Sequence, residues 1–156
     1  MCPHRIVYSI FAVISFSVAA DALCVNVPRV SLRSGPGPKY EETWRVGKYT
    51  PLKKKGESKN GWIPVADMDG KNHWVYGSSV TDEYECAAVK ADFTVVRTVA
   101  SETGALAPIR YVDRYWAAKK VRFEDDWMFL EDDFGNRYWI KESKLWRPVV
   151  YSQISF

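Results

Sequence analysis

The feature that most restricts what this chain can fold into is an internal repeat at an offset of 64 to 65 residues. Leu32-Arg33 returns as Val96-Arg97, Gly61-Trp62 as Asp126-Trp127, and Val65 as Leu130. Gly70 returns as Gly135, Trp74-Val75 as Trp139-Ile140, and Val80 as Leu145. Self-similarity at a fixed period marks a duplicated structural unit. The recurring positions are aliphatic, aromatic and turn residues, and no catalytic residue recurs with them.

Each unit reads as β structure. Short runs rich in Val, Trp and Tyr are separated by Gly, Asp and Asn, and no window sustains a 3.6-residue apolar period. In the first unit, a strand through Leu32-Arg33 enters the turn-rich run Ser34-Gly35-Pro36-Gly37-Pro38. Asn60-Gly61 and Asp69-Gly70 signal tight turns. Between them, Trp62 to Ala66 reads as a strand with Ile63 and Val65 on one face and Trp62 and Pro64 on the other. His73 to Tyr76 is the next strand, and Val80 closes the unit. The second unit follows the same plan, with strands expected at Phe93–Val99, Ile109–Val112, Tyr115–Val121, Trp127–Leu130 and Tyr138–Ile140. Its first loop, Thr98 to Gly104, has lost the Gly-Pro-Gly run. Met128 and Leu130 are expected to point inward, and Trp127 and Phe129 outward. The expected organisation is a first domain over residues 23–82, a second and diverged one over 83–148, and a C-terminal tail or edge strand at 149–156.

Residues 1–22 read as a signal peptide: Arg5, an apolar stretch from Ile6 to Ala20 interrupted by serines, and small residues at Ala20 and Ala22. The stretch is shorter than the roughly 20 apolar residues that span a bilayer, so no stable membrane span is expected after cleavage. Removing one Arg and one Asp with the leader leaves the formal charge at +3. That mild excess, without a concentrated basic stripe, speaks against a nucleic-acid binder. Cys24 and Cys86 remain of the three cysteines. In an oxidising, exported compartment they read as one disulfide, with two free thiols or metal binding as the alternatives. Two Cys and His73 do not make a four-ligand zinc site, and no other metal or cofactor motif occurs.

The combination Val30-Ser31-Leu32-Arg33-Ser34-Gly35-Pro36-Gly37, Gly61-Trp62-x-Pro64-Val65, Asp69-Gly70 and Trp74-Val75-Tyr76 resembles the bacterial SH3 domain. The second unit resembles a diverged copy, keeping Val96-Arg97, Asp126-Trp127-x-x-Leu130, Phe134-Gly135 and Tyr138-Trp139-Ile140. The resemblance implies an all-β protein of two tandem, small SH3-like antiparallel barrels, each of five to six strands, with a binding role. It is similar in layout to exported proteins with a signal peptide, two such domains and a Cys ahead of each. Members of this family commonly target cell-wall hydrolases to peptidoglycan or its peptide stems, and no hydrolase domain is expected here.

Seven Trp and nine Tyr exceed what two tiny cores need, and exposed aromatics rimmed by polar groups anchor peptides or the apolar faces of sugars. The candidate ligand-binding residues are Tyr40, Trp62, Trp74 and Tyr76 in the first unit, with Trp127, Phe129 and Tyr138 as second-unit counterparts. Packing of these rings between the domains is the competing explanation. The expectation is a periplasmic or secreted, non-catalytic module that recognises peptidoglycan, cell-wall peptides or an envelope protein. A structural or regulatory subunit docking a protein partner is the alternative. A hydrolase would have to use His73, with no nucleophile and orienting group legible nearby.

Overall fold

The computed structural model describes residues 21–148. The expected leader, apart from Asp21 and Ala22, and the expected tail lie outside the described residues. No helix there is long and apolar enough to cross a membrane.

The first unit has seven strands: β1 (Ala22–Val25), β2 (Arg29–Arg33), β3 (Glu42–Gly47), β4 (Pro51–Lys54), β5 (Trp62–Ala66), β6 (Asn72–Tyr76) and β7 (Val80–Thr81). They form one antiparallel sheet in the order β3-β2-β6-β5-β4-β1-β7. The second unit repeats this with β8 (Cys86–Val89), β9 (Thr94–Arg97), β10 (Leu106–Val112), β11 (Ala117–Glu124), β12 (Trp127–Glu131), β13 (Arg137–Lys141) and β14 (Leu145–Trp146), in the order β10-β9-β13-β12-β11-β8-β14. The two orders are the same once seven is added to each number. The expected five to six strands per unit are seven, because β1 and β8 belong to the sheets and do not merely precede them. β1 begins at Ala22, one residue ahead of the expected domain start.

Each sheet curls around its own core. Leu23 and Val25 of β1, Leu32 of β2, Val46 of β3, Leu52 of β4, Val65 of β5, Val75 of β6 and Val80 of β7 form one buried cluster. A flat sheet could not bring its two edge strands into a common cluster. The second core holds Val89, Val96, Val112, Ala118, Met128, Leu130, Ile140 and Leu145. Met128 and Leu130 point inward as expected, each fully buried.

The turns obey their sequence signals. Asn60 and Gly61 both take positive φ, 54° and 80°, which the two-residue type I′ hairpin requires. In both units the β-hairpin turn is built on an Asp whose Oδ1 accepts two backbone N–H groups. Asp67 accepts from Asp69 and Lys71, and Asp132 from Phe134 and Asn136.

The first loops match as well, although their sequences do not. Arg33 Nη1 donates to the Tyr40 carbonyl at 2.9 Å, and Arg97 Nη1 to the Gly104 carbonyl at 2.8 Å. The Ser34 and Thr98 N–H groups donate to the carbonyls of Glu41 and Ala105. The loss of Gly-Pro-Gly therefore left the loop conformation in place. Its cause is a size exchange: a Cβ on Gly35 would stand 2.3 Å from the Tyr40 ring, and a Cβ on Gly104 would stand 2.3 Å from Val99 Cγ2. Val99 and Gly104 occupy the repeat positions of Gly35 and Tyr40, so the bulk has moved from one side of the loop to the other.

The units meet along β1 and β8. The outer faces of these strands carry Cys24 and Cys86, which form a disulfide with Cα atoms 6.0 Å apart, covered by Tyr49, Tyr84 and Ala117. The cysteines are not at equivalent positions. Lys53 pairs with Ala22 and Lys119 with Cys86, so Cys86 corresponds to Ala22 and Cys24 to Ala88. Closing a loop of this separation, 62 residues, stabilises by about 4 kcal/mol on the chain-entropy argument.

Polar contacts cross the seam in both directions, from turn positions one residue apart in the repeat. The turn after β5 gives Asp69, whose carboxylate accepts from Arg114 and from the Tyr115 hydroxyl, the latter at 2.6 Å. The turn after β12 gives Asp133, which pairs with Lys48 at 3.6 Å. Lys48-Tyr49 and Arg114-Tyr115 are the same position in the two units, both tyrosines at positive φ, 66° and 72°. Their N–H groups donate to the equivalent carbonyls of Val25 and Val89. Trp44 adds an edge-on contact to Tyr115 at 5.2 Å between centroids.

Candidate binding face

In the first unit, β5 and β6 pair Trp62 with Tyr76 and Pro64 with Trp74, and β2 pairs Arg33 with Trp74. Directly opposed residues share a face of the sheet, so Arg33, Trp62, Pro64, Trp74 and Tyr76 lie together on the side away from the core. The Arg33 bond to the Tyr40 carbonyl ties the loop ring to this side. Trp62, Trp74 and Tyr76 thus share one face, while the Tyr40 ring packs over Gly35 and Gly37 in the loop after β2; none of the four supplies the aromatic contacts across the seam.

Their exposure differs from the expectation. Tyr40 and Tyr76 are about half open, at 48% and 47%, whereas Trp62 is buried at 9% and Trp74 half-buried. Period-two alternation gives Trp62 its face but does not reveal what covers it. Its ring lies 5.6 Å from that of Tyr76, tilted by 52°, so Tyr76 presents the pair to solvent with the indole beneath it.

The second unit builds the same face and then covers it. Trp127 pairs with Lys141, Phe129 with Trp139 and Trp139 with Arg97. Phe129 and Trp139 stack at 4.7 Å, and the Arg122 guanidinium sits 4.8 Å over one ring and 5.0 Å over the other. Trp127 is buried at 9%, against its expected outward exposure, and Phe129 is half-buried. Tyr138 is not on this face: it pairs with Leu130 and packs against the core beside Trp116. The counterpart of Trp74 is Trp139, which the 65-residue offset already implied. Where the first unit has Gly56 beside Pro64, the second has Arg122 beside Phe129, and where it has Tyr76 the second has Lys141. The first unit's face is open, and the second's is covered at Phe129 and Trp139 by the Arg122 side chain.

His73 serves the turn behind this region. Its Nε2–H donates to Asp67 Oδ2 at 2.8 Å, and its Nδ1 lies 2.7 Å from the Thr43 hydroxyl. His73 and Asp67 are 5% and 4% exposed, so the imidazole is enclosed and braces the β5–β6 turn to β3. The nearby N–H groups of Asp69 and Lys71 are donated to Asp67. No cluster of three or more metal-ligating side chains occurs among the described residues.

Comparison with known proteins accords with this geometry. Residues 26–82, spanning β2 to β7, match the bacterial SH3 domain family. No curated protein matches the chain. Among solved structures, NlpC2 from Trichomonas vaginalis aligns at 15% identity over 87% of this chain and 50% of its own, with a TM-score of 0.36. NlpC1 from the same organism aligns at 17% identity over 96% and 53%, with a TM-score of 0.35. The chain spans about half the length of each.

Proposed function

With a bacterial SH3 domain at residues 26–82, we propose that the protein is an exported, non-catalytic binding module whose first unit recognises cell-wall peptidoglycan or its peptides. The observation that carries this reading is the half-open Tyr76 ring against the buried Trp62 indole on the face that also holds Trp74, with the half-open Tyr40 ring on the loop after β2 and no side chain at Gly56 to cover Pro64. Aromatic rings held rigidly at a surface contact sugar faces and peptides at low entropic cost. The buried inter-domain disulfide fits an oxidising, exported setting. The enclosure of His73 supports a role without catalysis.

The test is cosedimentation with purified sacculi. Tyr40→Ala with Tyr76→Ala is the informative variant, because both rings are half exposed and their removal spares the core, whereas Trp62→Ala would remove a buried indole from the face. Wild-type protein should pellet with sacculi and the folded variant should stay in the supernatant. Equal pelleting of the two would exclude the face. If wild-type protein fails to pellet at all, the cell-wall reading falls, and a stoichiometric partner recovered by crosslinking through Tyr76 would replace it with a protein-docking subunit.

A further inference from the structure

The second unit carries a different site at the position where the first has its open rings. β9 and β13 are joined by a single residue pair, Arg97 with Trp139. The next residues in register, Val95 and Lys141, do not pair but line a cavity of about 300 Å³. Strands that part in this way leave main-chain groups for an extended peptide to meet. Trp127 and the Phe93 ring, 77% exposed, wall the cavity. Phe93 is held there with φ at 54°, in a region that aromatic side chains rarely adopt.

Arg97, Lys141 and Lys144 all line it. Arg97 uses one Nη on the Gly104 carbonyl, and its Nε has no hydrogen-bond partner among the described residues. Two acids also line the cavity, Asp92 and Glu102. Asp92 is engaged at its Oδ1 by the Arg114 N–H. Glu102 projects from the loop after β9 and accepts from Lys141, with its side chain 66% exposed. The hydrogen bond from Lys141, aided by the nearby Arg97 charge, holds the Glu102 carboxyl below its ordinary range. An exposed carboxylate thus sits where the cations converge. The first unit shares the single strand pair and the arginine, as Arg33 with Trp74, but Tyr76 and Pro38 hold the places of Lys141 and Glu102.

We propose that this cavity binds a short peptide through its free C-terminal carboxylate, which takes the place of Glu102 on Lys141 beside Arg97 while the terminal side chain rests on Trp127 and Phe93. The volume is at the lower limit of ligand pockets and suits one or two residues. The site lies in the second unit and does not rest on the aromatic face of the first.

The experiment is a titration of the full ¹⁵N-labelled protein followed by the Trp127 indole and Arg97 Nε–H signals. The probes are N-acetyl-alanyl-alanine with a free carboxylate, the same peptide as its C-terminal amide, and acetate. The free acid should shift both signals and the amide should not. Lys141→Met should weaken binding about tenfold, as expected for loss of a charge-assisted bond. Glu102→Gln should tighten it about two- to fivefold, the worth of one competing exposed ion pair. Equal binding of acid and amide, or weaker binding by Glu102→Gln, would overturn the assignment. Acetate acting as well as the peptide would show an anion site without peptide recognition and would overturn it too. Because the sacculus assay reads Tyr40 and Tyr76, either proposal can fail without the other.

Discussion

The size exchange in the first loop predicts a coupling that can be measured. Valine at position 35 would place its Cβ 2.3 Å from the Tyr40 ring, and the ring must swing away. Overpacking of this kind costs about 1–3 kcal/mol. Tyr40 is 48% exposed and has solvent to move into, so Gly35→Val should fall in the lower half of that range. Tyr40→Gly uncovers Gly35, losing roughly half the burial of an aromatic ring, about 1 kcal/mol, and adds about 0.5–1 kcal/mol of backbone entropy. Added together, the two changes would cost about 3 kcal/mol. The double variant Gly35→Val with Tyr40→Gly reproduces the Val99 and Gly104 arrangement, in which the valine fills what the ring vacated. It should cost about 1–2 kcal/mol less than the sum, within the range for contacting residues. Urea unfolding of the four proteins with the disulfide oxidised gives the cycle from midpoints at constant m. Additivity within about 0.5 kcal/mol would refute the exchange.

Cys24→Ala with Cys86→Ala should lower stability by at most about 4 kcal/mol, and an unchanged urea midpoint would show that the loop it closes is already ordered when unfolded. Asp69, Glu85 and Glu42 are held below their ordinary pKa, chiefly by hydrogen bonds from Tyr115, Lys120 and Ser31 respectively. Their folded values lie below the unfolded ones of about 4, so the stabilisation is complete above that pH and is lost as pH falls through the folded values. Urea midpoints should therefore be flat near neutrality and drop in acid, with a smaller acid drop in Asp69→Asn; midpoints that rise on acidification would contradict this.

Strand positions and turns were legible because their signals are local. Asn60-Gly61 names its own turn, and the alternation of Met128 and Leu130 names the core face. β1 and β8 were not legible as strands. Leu23 and Val25 face a core while Cys24 faces the seam, and Ala87 and Val89 do the same around Ala88. Strands covered on both sides show no alternation. The covering of Trp62 and Trp127 escaped for a related reason: a period assigns a side chain to a face but is silent on its neighbours there. Arg122 over Phe129 and Trp139 depends on a register shift between Lys120 and Arg122, which no local pattern announces. The Arg33 and Arg97 bonds to carbonyls seven residues on appear only once the loop is closed. Tyr138 was assigned by its neighbours, although the offset places it opposite His73.

The crosswise contacts of Lys48 with Asp133 and of Arg114 with Asp69 have a topological consequence. A patch that recognises its own copy is isologous, and two copies exhaust it. The chain is in effect a homodimer written in one polypeptide, so a third unit added at either end would find no vacant berth of this kind. Repeated addition through this seam is closed by its symmetry, and the two halves differ in what they present outward.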